Sequence, residues 1–256
     1  TWPGETISFF LILELMAVLI VLALSCAEIP VVIPFLASID TVNAVCILDL
    51  LIGDINGNFK LSILFLVRAK QINNGSKPFI RLSGHDPCQI KRVLDAGAKG
   101  ILAPMIENAQ QIKTVIDACH YPPVGNRGMG LARAQGYGAE KQKNHYIKNG
   151  CSEIEIFAQI ESVEAVKNVT AIFSEAIDGY FLGPYDLSAS MGNPGDFKNE
   201  SFKNAETIIL KAAQDANIKS GYHLVEPNAD EIATLSDFGY NMIAFSVDIR
   251  MLDSLA

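Results

Sequence analysis

Positive charge is scarce in this 256-residue chain, and its cysteines are scattered. Lysine and arginine number 20 against 28 aspartates and glutamates, a formal net charge of −8. No basic run is interleaved with aromatics, so no nucleic-acid partner is expected. The five cysteines, Cys26, Cys46, Cys88, Cys119 and Cys151, are odd in number and none forms a C-x-x-C pair. Neither a disulfide framework nor a zinc site is suggested, and a reducing, cytoplasmic compartment is the default. Long apolar runs are missing, with one exception. Phe9–Ala27 is apolar apart from Glu14, Ser25 and the thiol of Cys26. It is long enough to span a bilayer. It also resembles a signal-peptide core, but no positive residue precedes it. We favour a buried strand and helix broken at Glu14, because barrel elements are often continuously apolar. Membrane association is therefore not expected.

Half the residues are hydrophobic, ample for one core, and the length suits a single α/β barrel. Residues 1–76 are the hardest to read. Ile7–Leu13 suits a first strand, Ala44–Leu50 a strand ending at Asp49, and LSILFLVRAKQI a helix. From Lys77 the pattern is clear. KPFIRL is a strand ending near Arg81. Asp86 and Pro87 suit a helix N-cap and first helical position, and Gly97 closes that helix. GILAPM is a strand and ENAQQIKTVIDAC a helix. The glycine-rich loop HYPPVGNRGMGLARAQGYG follows, carrying Arg127 and Arg133. A loop of that length is usually functional. AEKQKNHYIKN reads as an exposed helix. Six strands fall between Phe79 and Val247, and two from the N-terminal part make eight. A (β/α)8 TIM barrel over residues 1–256 is the expected fold.

The stretch IEIFAQIESVEAVKNVTAIFSEAIDGYFLGPYDLSASMG, residues 154–192, is the centre of the chain. Two apolar runs, Ile154–Ile160 and Gly179–Leu182, flank VEAVKNVTAIF, whose apolar residues recur at helical spacing. A strand–helix–strand unit makes the two strands parallel. Glu161 and Asp186 then emerge at one edge of the sheet, where α/β folds carry their chemistry. Two converging carboxylates suit a hard divalent cation completed by water or substrate. Two loop carboxylates that only cap helices give the same pattern: Glu161 precedes one helix and Asp186 precedes LSAS.

Several segments together carry a resemblance: FIRLSGHDPCQIKRVLDAGAKGILAPMIENA, YPPVGNRGMGLARAQGYG, AQIESVEAVKNV, IDGYFLGPYDLSASMGNPGDF and GYHLVEPN. They resemble the metal-dependent (class II) pyruvate aldolases of the HpcH/HpaI family, which act on 4-hydroxy-2-oxo acids such as the heptanedioate. The resemblance covers about Pro78 to Leu252, leaving 1–76 as an atypical part of the same domain. It implies a carbon–carbon lyase releasing pyruvate and an aldehyde. It implies that Glu161 and Asp186 bind the divalent metal, Mg²⁺, Mn²⁺ or Co²⁺. Arg81 would contact the 2-oxo acid and Gln159 would line the same site. Gly183, Pro184 and Tyr185 would form the wall for the substrate carboxylate. Asp95 matches the Asp that partners the family's catalytic His. A homo-oligomer, commonly a hexamer, is also implied.

One departure is plain. The family's Asp-x-Glu-His segment falls here on Asp49, Leu50, Leu51 and Ile52. Isoleucine cannot take a proton. Either the base comes from elsewhere, such as metal-bound water or His85, or the chain binds metal and oxo acid without efficient turnover. For His85 itself, loop packing competes with a site role. For His223, a place in the barrel interior competes with one. For Arg127 and Arg133, recognition of a distal anionic group on the substrate competes with salt bridging that holds the loop.

Overall fold

The computed structural model describes residues 47–49, 77–150 and 152–254. The expected strand Ile7–Leu13, the apolar run Phe9–Ala27, the helix before Lys77 and Ile52 lie outside them. Seven strands lie side by side in chain order, every pair parallel. They are β1 (Ile47–Asp49), β2 (Phe79–Arg81), β3 (Gly100–Ala103), β4 (Glu155–Ile160), β5 (Gly179–Leu182), β6 (Lys219–Leu224) and β7 (Met242–Phe245). From β2 onward, helices connect successive strands. They are α1 (Pro87–Ala96), α2 (Ala109–Cys119), α3 (Glu140–His145), α4 (Val163–Lys167), α5 (Val169–Phe173), α6 (Pro184–Ser190), α7 (Glu200–Ala216) and α8 (Asp230–Phe238), with α9 (Asp248–Ser254) after β7. No helix of the described residues is long and apolar enough to cross a membrane.

Local chemistry explains the boundaries. Asp86 accepts from the backbone N–H of Cys88 and Gln89, and Pro87 opens α1. Gly97, at φ 100°, ends it in a conformation that suits glycine. Asn108 caps α2 through the N–H of Gln111. The single helix expected over VEAVKNVTAIF is two short ones, α4 and α5, separated by Asn168. Asn168 donates from its side chain to the Glu107 carbonyl at 2.9 Å and to Glu164 at 3.1 Å. A side chain that bonds locally competes with the helix ladder. The exposed helix expected after the long loop forms as α3 and passes into a π turn, Tyr146–Gly150.

Alternation along the strands builds two cores. Ile80, Ile101, Ile156, Ala158, Ile160, Tyr180, Leu182 and Ile243 pack with the helices. Phe79, Leu102, Phe157, Phe181, Met242 and Ala244 form a second cluster on the other face. Phe79 and Phe157, two strands apart, meet edge to face at 5.5 Å. They do so because β3 offers Gly100 there; a Cβ on Gly100 would stand 2.2 Å from the Phe79 ring. Gly179 under Phe157 (2.6 Å) and Gly221 under Phe181 (2.7 Å) repeat the arrangement. At the N-terminal edge Glu155 is bound by Lys77 and Lys219. Burial alone would raise the Glu155 carboxyl, but the two ammonium groups hold it below its ordinary value.

Candidate active site

Side chains two residues apart on a strand share a face. The face that carries Phe79 and Phe157 therefore carries Arg81 and Gln159 one step closer to the C-terminal edge. The two meet: Arg81 Nε donates to Gln159 Oε1 at 2.8 Å. Gln159 is buried, so its amide is held by a fixed cation. In register, Arg81 also pairs with Asp49 at the end of β1.

Glu161 follows β4 at the same edge and is only 3% exposed. Its Oε1 accepts from the Met105 backbone N–H at 2.6 Å. Its Oε2 is buried and, among the described residues, meets no hydrogen-bond donor. Asp186 is close enough for its charge to act on the same carboxyl. Burial first, then the charge of Asp186, push the Glu161 carboxyl up to about 7, against the Met105 N–H and the Arg81 charge. Gly183 makes this crowding feasible. A Cβ there would stand 3.0 Å from both Gln159 Nε2 and Glu161 Oε2.

Asp186 does not precede its helix, as its spacing suggested. Gly183 is the N-cap and Pro184 the first helical residue, so Asp186 lies inside the first turn of α6. Proline at that position needs no N–H and presets the helical angle. Asp186 is exposed, and Pro184 is buried. Tyr185 is half-exposed and packs edge to face on Phe197 at 5.0 Å. The Gly183 N–H is already given to Ile160 O at 3.1 Å, and Pro184 has none. Their part in this turn is space and shape.

Asp95 belongs to a different cluster. It sits near the C-terminal end of α1, bound by Lys91, by Arg127 Nη2 at 2.6 Å and by Gln135 Nε2 at 3.3 Å. Arg127 is buried, donates to Tyr146 Oη at 3.1 Å and lies over the Tyr121 ring at 4.9 Å. For Arg127 the geometry matches the salt-bridging reading: it ties the glycine-rich loop to α1. His85 Nε2 reaches the Pro104 carbonyl. His223 is half-buried on β6.

Sequence reasoning missed Met105, which sits at φ 53° and contributes a backbone N–H. A backbone donor leaves no letter to read. The only hint was its place at the end of GILAPM, two residues past the end of β3.

The donor chemistry fits a divalent cation. A buried carboxylate oxygen without a donor, facing a second carboxylate, is costly unless a cation neutralises it. Among the described residues no group of three His, Cys, Asp or Glu gathers. Such a pair leaves positions for a chelating substrate.

The family model described as HpcH/HpaI aldolase/citrate lyase matches residues 62–253. The chain is 35% identical over 179 residues to 2-keto-3-deoxy-L-rhamnonate aldolase of Klebsiella pneumoniae, covering 69% of this chain and 65% of that one. It is 40% identical over 131 residues to 4-hydroxy-2-oxovalerate aldolase of Novosphingobium aromaticivorans, covering 51% and 49%. The chain thus spans less than two thirds of the length of these curated relatives. A solved structure of an HpcH/HpaI aldolase/citrate lyase family protein from Burkholderia cenocepacia superposes with a TM-score of 0.73 at 25% identity, over 82% of this chain and 81% of that one. On the family model and these relatives together, the chain belongs to the HpcH/HpaI aldolase/citrate lyase family.

Proposed function

We propose that this protein is a divalent-metal-dependent aldolase that splits a 4-hydroxy-2-oxo acid into pyruvate and an aldehyde. The observation that carries this reading is the buried, donor-less Glu161 Oε2 beside Asp186, one strand-end from the Arg81–Gln159 pair. The relatives support it. One is named a 4-hydroxy-2-oxo-heptane-1,7-dioate aldolase and another a hydroxypyruvate/pyruvate aldolase. The rest of the working enzyme is proposed with it: closure of the sheet into a (β/α)8 barrel, one domain over 1–256, a cytoplasmic homo-oligomer and a small 2-oxo acid as substrate.

Glu161 and Asp186 would hold Mg²⁺, Mn²⁺ or Co²⁺. When bound, the cation supplies charge to the ketone oxygen that becomes the enolate oxygen of pyruvate as the bond breaks. The chain's own residues do the rest. Arg81, which cannot lose its proton, donates to the 2-oxo acid, and Gln159 keeps its guanidinium aimed. Gly183, Pro184 and Tyr185 wall the carboxylate end. Cleavage breaks the C3–C4 bond: the C4 hydroxyl gives its proton to solvent water and becomes the aldehyde, while the electron pair left on the pyruvate fragment as its enolate takes a proton back at C3 to give pyruvate. At the family's base position stands Ile52, which cannot accept that proton. Asp95 retains the match to the base's partner and, in this chain, anchors the loop.

The test is pyruvate release from 4-hydroxy-2-oxo-heptanedioate with Mg²⁺ or Mn²⁺ and with excess chelator. Chelator-sensitive release that is lost in Glu161→Ala supports the reading. Release unaffected by Glu161→Ala overturns the site. Metal-dependent oxalate binding without release would instead make the chain an oxo-acid-binding member of its family.

A further inference from the structure

The Pro104–Met105 peptide is bonded at both ends. Its N–H donates to Glu161 Oε1 at 2.6 Å, and its carbonyl faces His85 Nε2. A carbonyl only accepts, so His85 Nε2 carries a hydrogen there. Met105 stands at φ 53°. That is an uncommon angle for a residue with a side chain, and one that surrounding contacts must impose. Further along the same loop, Ser162 Oγ donates to Glu107 Oε1 at 2.9 Å, Asn168 Nδ2 donates to the Glu107 carbonyl at 2.9 Å, and the Glu107 N–H donates to Gln111 Oε1 at 2.7 Å. The loop from Pro104 to Glu107 is therefore pinned from the β2–α1 loop on one side and, on the other, from Ser162 before α4 and Asn168 after it. Between the two pins lies the one backbone donor that orients Glu161.

We propose that His85 and Glu107 are positioning residues: they fix the Pro104–Met105 peptide so that its N–H engages Glu161 Oε1 and leaves Oε2 for the cation. This rests on the reading of Glu161 as a metal carboxylate. The bond from His85 also strengthens the donor at the far end of the peptide. Hydrogen-bonding to a carbonyl polarises its own amide, and chained bonds reinforce one another. Without the pins the Met105 peptide relaxes out of its left-handed angle, and Glu161 loses the bond that selects which oxygen it presents. Partners of this kind typically set metal affinity within one to two orders of magnitude.

The experiment titrates Mn²⁺ into the full chain, its free concentration followed by electron paramagnetic resonance, and reads Met105 amide exchange by NMR. The proteins are the parent, His85→Ala, His85→Gln, Glu107→Ala, Glu107→Gln and, as control, Glu161→Gln. We expect each alanine variant to weaken Mn²⁺ binding about tenfold and to speed Met105 exchange. Each glutamine variant, which keeps a hydrogen-bonding group, recovers most of both. Met105 exchange unchanged in both alanine variants overturns the inference. So does faster exchange with Mn²⁺ affinity unaltered. Mn²⁺ bound equally by the parent and by Glu161→Gln, or not bound by the parent, overturns the metal reading itself and the role built on it. If His85→Ala does not fold, His85→Asn, polar but shorter in reach, carries the same two readouts.

Discussion

Asp95 and Glu161 are both buried carboxyls, yet their surroundings drive them in opposite directions. Burial pushes both up. At Asp95 the hydrogen bonds from Lys91 and Arg127 outweigh burial and hold the carboxyl below its ordinary 3.8. At Glu161 the neighbour is another carboxylate, and the group rises to about 7. One is a finished ion pair; the other has a second carboxylate as its neighbour and, on the proposed reading, would take a cation. Because the folded-state value of Asp95 is depressed, its contribution to stability is whole above 3.8 and is lost as pH falls through the folded value. Asp95→Asn should therefore cost roughly 3 kcal/mol at pH 7, since it leaves Arg127 buried without its counter-charge. The difference from the parent should shrink by pH 3, as urea unfolding at the two pH values would show. A gap of equal size at both would place the loss in packing alone. Gly183→Ala tests the other carboxyl. Its Cβ, 3.0 Å from Glu161 Oε2, should cut Mn²⁺ affinity at least tenfold with little change in melting temperature.

Elements were legible where end signals are written in side chains. Asp86, Pro87 and Gly97 marked both ends of α1, whereas the helix expected from Glu107 starts two residues later, with Asn108 as its cap. The alternating and helical periods gave the six strands from Phe79 onward. The break at Asn168 was not legible, because its cause is a carbonyl 61 positions away in the chain. The start of α6 was misread for a similar reason: Asp186 looked like a cap, but Gly183 supplies one with no side chain. Of the candidate site, Glu161 and Asp186 could be brought to one edge by strand direction, whereas Arg81 and Gln159 entered only through the family resemblance. The Met105 N–H entered by neither route, because it depends on one backbone angle. At this scale Gly179→Ala is informative. Its Cβ would meet the Phe157 ring at 2.6 Å and the Lys219 backbone at 2.6 Å. Overpacking of this kind costs about 1–3 kcal/mol, and rigid backbone on one side argues for the upper end. Chemical denaturation would measure it; a change below about 0.5 kcal/mol would mean the sheet gives way there.

At the scale of the whole molecule, a seven-stranded parallel run separates two jobs. The N-terminal edge is closed by charge pairing around Glu155, and the C-terminal edge gathers the groups that would meet substrate. Lys219→Met should accordingly lower stability by about 1–3 kcal/mol while leaving the Mn²⁺ affinity of the folded protein unchanged, checked by melting and metal titration on one preparation. Loss of metal binding in that variant would tie the two edges together. The rings seated on Gly100, Gly179 and Gly221 have a consequence for how that gathering is achieved. A strand sliding by one step would bring a residue with a side chain beneath a phenyl ring, and the fit would be refused. Each ring and its glycine thus act as a detent between neighbouring strands, two of them linking β4 to β5 and β5 to β6. The heights of Gln159, Glu161 and Gly183 along their strands are calibrated one step beneath them, by a layer of rings and glycines.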